Sequence, residues 1–324
     1  TFHAPPDVGG RFSALCDFGL LPASLVGVDV VGLLGAAEAM ASRPDAAMRL
    51  GAWMGEGALA GRDKVTILTT PGLSALPAWM EQLIAESTGK EGVGIVPVAG
   101  ERVVGPEGYG DDRLFLAYHL ADEDLPEGVR ALAAAGHPVL SFALPGLAAL
   151  GAEMFRAELA TAAAGAVLGI NPFDQPDVEA AKVQARALMS DGVEGGEDLA
   201  SFDESAVDEV VAAVRAGDYV ALQAYAPMTD ELQARLEGVA GDIRDRTGGA
   251  AVTIGYGPRF LHSTGQLHKG GANNCVVLQL VSTPGTDVSV PESELTFGQI
   301  VLAQAAGDAA VLAERGRTVV RRAI

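Results

Sequence analysis

Arg11 is the first residue whose type and setting could support chemistry, in this case the stabilisation of an anion. It follows Gly9 and Gly10 in the string DVGGRFS, and glycines, which lack a Cβ atom, let the backbone approach a ligand closely. Its planar guanidinium carries a permanent positive charge, which can stabilise negative charge that develops during a reaction. Taken alone, the string fits a structural turn at least as well.

Glu86 is the candidate base. It lies in the string IAESTG, in the last turn of a helix predicted from Ser74 to Ser87, with Gly89 as the predicted C-cap. The negative end of the helix dipole disfavours a carboxylate there, which suits a group that must accept a proton. A glutamate at a helix end is more often a solvated surface residue, so the local sequence leaves both interpretations open.

Lys182 closes the string NPFDQPDVEAAK, which supplies a third chemical group. Pro172 and Pro176 break the preceding helix, and a second helix is predicted to begin near Asp177, so the lysine has a fixed place on a short helix. Such an amine could donate a proton, and neighbouring carboxylates would set its charge state. An exposed helix lysine after a proline-rich turn is the alternative.

The charge balance of the chain limits its partners. Lys and Arg number 22 against 42 Asp and Glu, which gives a formal net charge of -20. A nucleic acid or an anionic membrane would be repelled, so neither is an expected partner. A small anionic substrate would need a local cluster of cationic side chains, which makes Arg and Lys residues inside motifs informative.

The sequence also predicts a soluble, cytoplasmic protein. The N-terminus lacks the basic and apolar regions of a signal peptide, and no apolar run is long enough to span a bilayer. Cys16 and Cys275 lie far apart in apolar surroundings, which is typical of buried free thiols. Because no Cys or His residues have metal-ligand spacing, no metal site is predicted.

Strands and helices alternate through the first part of the chain, and this favours a parallel sheet with helices on both faces. Strands are predicted at 64–70, 93–98, 114–119 and 138–143, and helices at 13–25, 31–40, 46–59, 74–87, 127–135 and 152–169. The sequence therefore predicts an α/β, doubly wound domain.

The composition shifts to Gly, Asp and Glu between Ser190 and Ser201, which predicts a solvated linker or loop and a domain boundary. A smaller α/β region follows. Its predicted strands are 219–224, 251–256, 276–282 and 318–322, and its predicted helices are 229–247 and 296–314. The last helix is expected to pack its apolar residues in a core: Phe297, Ile300, Val301, Ala305 and Leu312.

Long strings of the sequence resemble the phosphoglucose isomerase (glucose-6-phosphate isomerase) family. These are DVGGRFSALCDFGLLPASLVGVDV, AESTGK and INPFDQPDVEAAK, and a further string, GPRFLHSTGQLHKGG, resembles the C-terminal part of bifunctional transaldolase/phosphoglucose isomerases. The strings occur in the order of that branch. The resemblance implies a sugar-isomerase (SIS-type) fold and interconversion of glucose 6-phosphate and fructose 6-phosphate through a cis-enediolate, without a metal or an organic cofactor.

The resemblance also implies a role for each candidate. Glu86 would move a proton between C1 and C2, Arg11 would stabilise the enediolate, and Lys182 would assist ring opening together with a histidine. Substrate-binding candidates are Gly9, Gly10, Gln175, His262 and Lys269.

The histidine departs from the family pattern. Phosphoglucose isomerases place it in a TNGQH segment between the glutamate and lysine strings, and this chain has no such segment there. The string TGQLH, residues 264–268, is close to that pattern, so His268 is the first candidate and His262 the second. A histidine that forms a hydrogen bond within a Gly-rich loop is an equally weighted alternative.

The resemblance further predicts how the chain is organised. Residues 1–30 would end a preceding sugar-isomerase domain, 31–190 would form a second SIS-type domain, and 191–324 would form a C-terminal α/β domain. The family's phosphate-binding first domain is expected to precede Thr1, so the chain is predicted to be the C-terminal part of a longer enzyme, with a transaldolase fusion left open. A homodimer is compatible with the sequence. The alternative is a non-catalytic, sugar-phosphate-binding SIS-type regulatory module.

Overall fold

Two four-stranded parallel sheets with helices on both faces form an α/β fold, as the sequence predicts. The computed structural model describes residues 5–126, 128–177, 198–282 and 286–324. The chain divides into two units. Unit 1 comprises Thr1–Thr88, Val93–Pro106 and Asp111–Gln175, and unit 2 comprises Gly89–Gly92, Glu107–Gly110 and Pro176–Ile324. The predicted boundary near residue 190 lies outside the described residues and stays a prediction.

Unit 1 contains a sheet with the strand order β2-β1-β3-β4. Its strands are β1 Lys64–Thr69, β2 Val96–Ala99, β3 Arg113–Leu120 and β4 Val139–Leu144, and its helices are α1 Asp17–Leu25, α2 Val30–Ala41, α3 Asp45–Leu59, α4 Leu76–Thr88, α5 Val129–Ala134 and α6 Leu150–Leu168. In the parallel register, Lys64 of β1 pairs with Val96 of β2 and with Arg113 of β3. The core packs apolar residues of β1 and β3 against α3, α4 and α6.

The end of α6 is fixed by its sequence. Gly169 has a φ of 76°, the left-handed conformation that ends helices and that glycine adopts without strain. Pro172 packs directly on the helix, because a Cβ added to Gly165 would lie 3.0 Å from the Pro172 Cβ. Asn171 then closes the turn, since its Oδ1 accepts a hydrogen bond from the Phe173 amide at 3.1 Å and its Nδ2 donates to Asp174 Oδ2 at 3.2 Å.

Unit 2 contains a second parallel sheet with the strand order β6-β5-β7-β8. Its strands are β5 Tyr219–Tyr225, β6 Ala251–Tyr256, β7 Cys275–Val281 and β8 Thr318–Ala323, and its helices are α7 Glu204–Ala213, α8 Asp230–Arg246, α9 Gly265–Gly270 and α10 Phe297–Glu314. The strands β5 and β7 are buried along their whole length. The short helix α9 carries most of the string STGQLHKGG.

Three sequence predictions need correction. The first helix begins at Asp17 rather than Ser13, because residues 13–16 form a turn in which the Cys16 amide donates to the Ser13 carbonyl. Phe297 is 53% exposed rather than in the core, since it is the first residue of α10. Gly89 follows α4 but does not have a left-handed φ. It needs to be glycine because a Cβ would lie 2.3 Å from the Leu267 Cα.

Cys16 and Cys275 are free thiols, and only Cys275 is fully buried. Among the described residues, no helix is both long and apolar enough to cross a membrane.

Candidate functional site

Arg11 lies at the centre of a polar cluster in unit 1. It belongs to a 3-10 turn, Gly10–Phe12, and is only 2% exposed. Its Nε donates to Ser87 Oγ at 2.9 Å, and its Nη1 donates to Gln175 Oε1 at 2.9 Å and lies 3.2 Å from Glu86 Oε1. Its Nη2 donates to the carbonyl oxygens of Pro172 and Asp174, each at 3.0 Å. The guanidinium therefore ties the end of α4 to the turn that follows α6.

Glu86 is held in one orientation by this cluster. It lies in the last turn of α4, as predicted, and is 9% exposed, so it is not the solvated surface glutamate of the alternative interpretation. One carboxylate oxygen contacts Arg11, and the other accepts a hydrogen bond from Gln82 Nε2 at 3.3 Å. The pKa of Arg11 is lowered by burial, and the carboxylates of Glu86 and Asp174 oppose that shift.

Apolar contacts support the same arrangement. The rings of Phe12 and Phe173 lie 5.2 Å apart, so the residue after Arg11 packs on the turn that supplies two of its acceptors. The Arg11 guanidinium lies 5.4 Å from the Phe12 ring centroid, within cation–π range. Both segments are thus fixed by packing as well as by hydrogen bonds.

The arrangement pairs a buried carboxylate with a buried cation, and this suits proton transfer beside a developing negative charge. Arg11 donates four hydrogen bonds to protein acceptors and forms an ion pair with Glu86, so a ligand oxygen would compete with these partners for its N–H groups. Gln175 is the acceptor best able to leave, because its residue is exposed and its side chain can rotate into solvent. The structure brings together three predicted site residues: Arg11, Glu86 and Gln175.

The two glycines before Arg11 leave room for a ligand. A Cβ added to Gly9 would lie 3.7 Å from Arg11 Nη1, an ordinary contact, and one added to Gly10 would meet no described atom within 4 Å. Protein packing therefore does not require glycine at either position, and a role in substrate binding stays a prediction. Lys182 lies in residues 178–197, outside the described part of the chain, and its role likewise stays a prediction.

His268 lies in a buried network of unit 2. Its Nδ1 is 2.9 Å from the Tyr219 hydroxyl and 3.8 Å from Cys275 Sγ, and the residue is 3% exposed. Burial, reinforced by the charges of Lys269 and Arg317, lowers the pKa of His268 to about 3, so the imidazole is neutral at physiological pH. This matches the alternative of a histidine that forms hydrogen bonds within the fold, and its catalytic role stays a prediction.

The other two candidates of this string differ in exposure. His262 ends a 3-10 turn, Arg259–His262, and is exposed. Lys269 is 2% exposed, and its ammonium forms an ion pair with Asp308, which is fully buried, and donates to the Gly265 carbonyl at 3.3 Å. Lys269 thus has protein partners, and substrate contacts by either residue stay predictions.

Gln266 is a residue of this string that the sequence prediction missed. It is fully buried, and its Nε2 donates to the Gly89 carbonyl at 2.8 Å and to Asp177 Oδ2 at 2.7 Å. Its Oε1 accepts a hydrogen bond from the Asp177 amide at 2.9 Å. The signal is present in the sequence, since Gln266 stands inside TGQLH, the string that made His268 a candidate. Ser87 was also missed, although it directly follows Glu86.

A cavity of about 640 Å³ lies in unit 2, near the carboxyl ends of β5 and β7. The connection after β5 leads to β6 on one side and the connection after β7 leads to β8 on the other, and such a reversal of direction is where α/β sheets commonly bind ligands. The N-terminus of α10 faces it, but Asp287 accepts hydrogen bonds from Thr296 Oγ1 and the Gly298 amide, and these lower the pKa of Asp287. A phosphate would meet this carboxylate, so the cavity does not suit one.

Known proteins similar to this chain are glucose-6-phosphate isomerases, although no protein-family model matches it. The enzyme of Rubrobacter xylanophilus is 34% identical over 236 residues, which are 58% of this chain and 55% of that protein. The enzymes of Heliobacterium modesticaldum and Symbiobacterium thermophilum are 31% and 32% identical, over 58% of this chain and 53% and 52% of their own length. The chain spans about half the length of these curated relatives.

Solved structures give weaker similarities. A hypothetical protein from Thermus thermophilus aligns with 99% of this chain and 88% of its own, at 16% identity and a TM-score of 0.31. A putative sugar binding protein from Salmonella typhimurium covers 87% of this chain and 96% of its own, at 14% identity and a TM-score of 0.28. Similarities at this level support no structural inference.

Proposed function

Because the chain is related to the glucose-6-phosphate isomerases over more than half of its length, we propose that it acts in an aldose–ketose isomerisation of a sugar phosphate. The proposed substrates are glucose 6-phosphate and fructose 6-phosphate. We also propose that it forms the C-terminal part of a longer enzyme of the transaldolase-fused branch. This part of the proposal is supported by the string GPRFLHSTGQLHKGG, whose resemblance is to that branch.

The proposed reaction moves one proton between neighbouring carbons. The Glu86 carboxylate takes the proton from C2 of the open-chain aldose, and the C2 electron pair forms the double bond of a cis-enediolate. One proton passes from the C2 oxygen to the C1 oxygen of the enediolate. The protonated Glu86 then delivers its proton to C1 as the C2 oxyanion becomes the carbonyl of the ketose. A positioned carboxylate typically contributes about 10²- to 10⁴-fold to such a step.

Arg11 is proposed to stabilise the enediolate. Negative charge develops on the substrate oxygens as C2 loses its proton, and a preorganised guanidinium in a buried site lowers the energy of that charge. Gln175 Oε1, which accepts from Nη1 at 2.9 Å, is the acceptor that the substrate oxygen would replace. Lys182 and a histidine, His268 or His262, are proposed for ring opening on the basis of the resemblance.

One observation carries the proposal, namely the 3.2 Å contact between Arg11 and Glu86. These residues are 75 positions apart, and the family resemblance assigns them complementary roles on one intermediate. Both side chains are buried in unit 1, where a charge pair acts more strongly than it does in water.

The test is a coupled assay in which a dehydrogenase oxidises the glucose 6-phosphate formed from fructose 6-phosphate. The full-length wild-type enzyme that contains this chain is expected to turn over, and Glu86→Gln in that enzyme is expected to lower kcat about 10²- to 10⁴-fold. Glu56→Gln, an exposed glutamate of α3 in the same unit, is the matched control and should retain wild-type kcat. Unchanged kcat in Glu86→Gln would remove this residue from the mechanism.

A second candidate function is a sugar-phosphate-binding regulatory module without turnover. The observation that favours it is the set of four hydrogen bonds and one ion pair that Arg11 makes with the protein, since these contacts hold the guanidinium as a structural clamp. Calorimetry with 6-phosphogluconate separates the two functions when it is combined with the coupled assay. Binding without turnover supports the module, and binding with turnover supports the isomerase.

A further inference from the structure

Gln266 connects two stretches of chain that are distant in sequence. Its side-chain amide group donates two hydrogen bonds, to the Gly89 carbonyl and to Asp177 Oδ2, and its oxygen accepts one from the Asp177 amide. All of these atoms belong to unit 2. The distances, between 2.7 and 2.9 Å, are those of good hydrogen bonds, so the side chain is satisfied at both of its ends.

The packing around this amide leaves no room for a side chain at Gly270. A Cβ added to Gly270 would lie 2.2 Å from Asp177 Oδ2, 2.7 Å from Gln266 Nε2 and 2.7 Å from the Gly89 carbonyl oxygen. The Gly92 amide also donates to the Gly270 carbonyl at 2.9 Å. The segment 89–92 is therefore fixed against α9 at both ends.

Arg315 holds Asp177 from the other side. Its Nη1 lies 2.5 Å from Asp177 Oδ1 and donates to the Lys269 carbonyl at 3.2 Å. Each oxygen of the Asp177 carboxylate thus has its own partner, Arg315 for one and Gln266 for the other. Both oxygens of the Asp177 carboxylate therefore hold it against α9 and its surroundings.

The stretches held by Gln266 adjoin the proposed catalytic residues in the chain. Gly89 is the third residue after Glu86, and Asp177 is the second residue after Gln175 and the fifth before Lys182. Because few peptide units lie between them, a shift of Gly89 can displace Glu86 and a shift of Asp177 can displace Gln175 through the chain. A displacement of about 1 Å at reacting groups can cost 10²-fold in rate.

We propose that Gln266 is a positioning residue for the isomerase reaction, which acts by fixing Gly89 and Asp177. The inference rests on the proposed function. Glutamine suits this role because one side chain offers two donors and an acceptor. A glutamate could accept from the Asp177 amide, but it could donate neither to the Gly89 carbonyl nor to the Asp177 carboxylate, and it would add a repulsive charge.

The experiment compares Gln266→Ala with Gln279→Ala. Gln279 is a matched control because it is also a fully buried glutamine of unit 2 with three side-chain hydrogen bonds, to Gln223, the Ala305 carbonyl and Arg321. Both variants lose a buried amide and should lose similar stability in urea unfolding. Only Gln266→Ala is expected to lower kcat, about 10- to 100-fold. Its KM should stay within about twofold, because Gln266 is not proposed to contact the substrate.

Hydrogen exchange followed by mass spectrometry gives a readout that does not depend on turnover. Amides in residues 86–92 and 171–177 are expected to exchange faster in Gln266→Ala and at the wild-type rate in Gln279→Ala. The double variant Gln266→Glu with Asp177→Asn swaps donor and acceptor between the two side chains. It is expected to recover part of the kcat that Gln266→Glu alone loses.

The outcomes separate this inference from the proposed function. Turnover by wild-type protein, with equal kcat in Gln266→Ala and Gln279→Ala, would overturn the positioning role and leave the isomerase assignment standing. Unchanged exchange in both segments would overturn it as well. Absence of turnover by the full-length wild-type enzyme would overturn the proposed function, and the catalytic part of this inference with it.

Discussion

Removal of Arg11 should destabilise unit 1 because it leaves a buried carboxylate without its partner. Arg11→Met keeps the length and the apolar stem of the side chain but deletes the guanidinium. Glu86, whose side chain is 12% exposed, then loses the cation at 3.2 Å, and Ser87, Gln175 and two carbonyl oxygens lose their donor. Breaking a buried ion pair typically costs about 3–5 kcal/mol. Because water still reaches Glu86, we expect the lower end, about 3 kcal/mol.

Tryptophan fluorescence is a suitable assay. Trp53 and Trp79 are the two tryptophans of the sequence, and both pack on the core of unit 1, so their emission reports on this unit. With a urea m-value of about 2 kcal/mol/M, a loss of about 3 kcal/mol lowers the unfolding midpoint by about 1.5 M. Arg49→Met, an exposed arginine of α3, is the control and should change the free energy of unfolding by less than about 0.5 kcal/mol.

A double-mutant cycle isolates the charge pair. Glu86→Gln removes the charge but keeps an oxygen that can accept from Arg11, so it should cost about 1 kcal/mol. The double variant Arg11→Met with Glu86→Gln leaves no unpaired buried charge, and it should be more stable than Arg11→Met alone. Coupling between the two positions is expected at about 1–3 kcal/mol. A midpoint in Arg11→Met equal to that of Arg49→Met would refute the reasoning.

Three further predictions concern pH and packing. Burial raises the pKa of Glu158 from 4.5 to about 7, so unit 1 loses stability as pH rises through that interval. Glu158→Gln should remove this dependence and raise the free energy of unfolding at pH 8, measured by tryptophan fluorescence, by about 1–2 kcal/mol. Burial lowers the pKa of His268 from 6.5 to about 3, so the native state loses about 1.4 kcal/mol per pH unit as pH falls below 6.5. Urea unfolding monitored by circular dichroism should therefore show a weaker acid dependence in His268→Gln than in the wild type. Gly270→Ala should destabilise the protein by more than about 2 kcal/mol in the same assay, because its Cβ would lie 2.2 Å from Asp177 Oδ2. Gly238→Ala is the control, since a Cβ there would meet no described atom within 4 Å, and it should stabilise α8 by about 0.5–1 kcal/mol. A His268→Gln variant with unchanged acid dependence, or a Gly270→Ala variant as stable as wild type, would contradict the packing on which each prediction rests.

The sheets could be predicted from the sequence because their signals are local. The run KVTIL is β-branched and apolar and is followed by Pro71, and it forms β1. The helix before NPFDQP is Ala-rich and ends at Gly169, and the structure has it as α6, Leu150–Leu168. Where propensity, hydrophobic pattern and terminating residues agree, the observed boundaries lie within a few residues of those predicted.

The helices that could not be predicted from the sequence depend on contacts between residues far apart in the chain. The helix α9 has six residues, with Gly265 and Gly270 at its ends, and its local sequence indicates a loop. Long-range contacts hold it in a helical conformation. Gln266 donates to the Gly89 carbonyl, Lys269 pairs with Asp308, and Arg317 donates to the His268 carbonyl. The helix α7 was missed because the acidic, Gly-rich composition before it predicts a loop and its own signal is short.

The candidate site was predicted in part, and for a similar reason. Local sequence favoured a surface position for Glu86, whereas the resemblance favoured a site, and the structure buries the residue beside Arg11. No local pattern indicates that Ser87, Pro172 and Gln175 are partners of the same guanidinium, since those contacts exist only after α4 and α6 pack. The same holds for Gln266, whose partners are 89 and 177 residues away along the chain.

The proton transfer assigned to Glu86 can be observed directly by proton NMR of fructose 6-phosphate in deuterium oxide. Wild-type protein is expected to exchange a C1 hydrogen with solvent and to form glucose 6-phosphate. Glu86→Gln should do neither at a measurable rate while it keeps a folded unit 1, and Glu56→Gln should match wild type. Exchange by Glu86→Gln as fast as that of wild type would contradict the central claim that this carboxylate, held by Arg11, moves the proton.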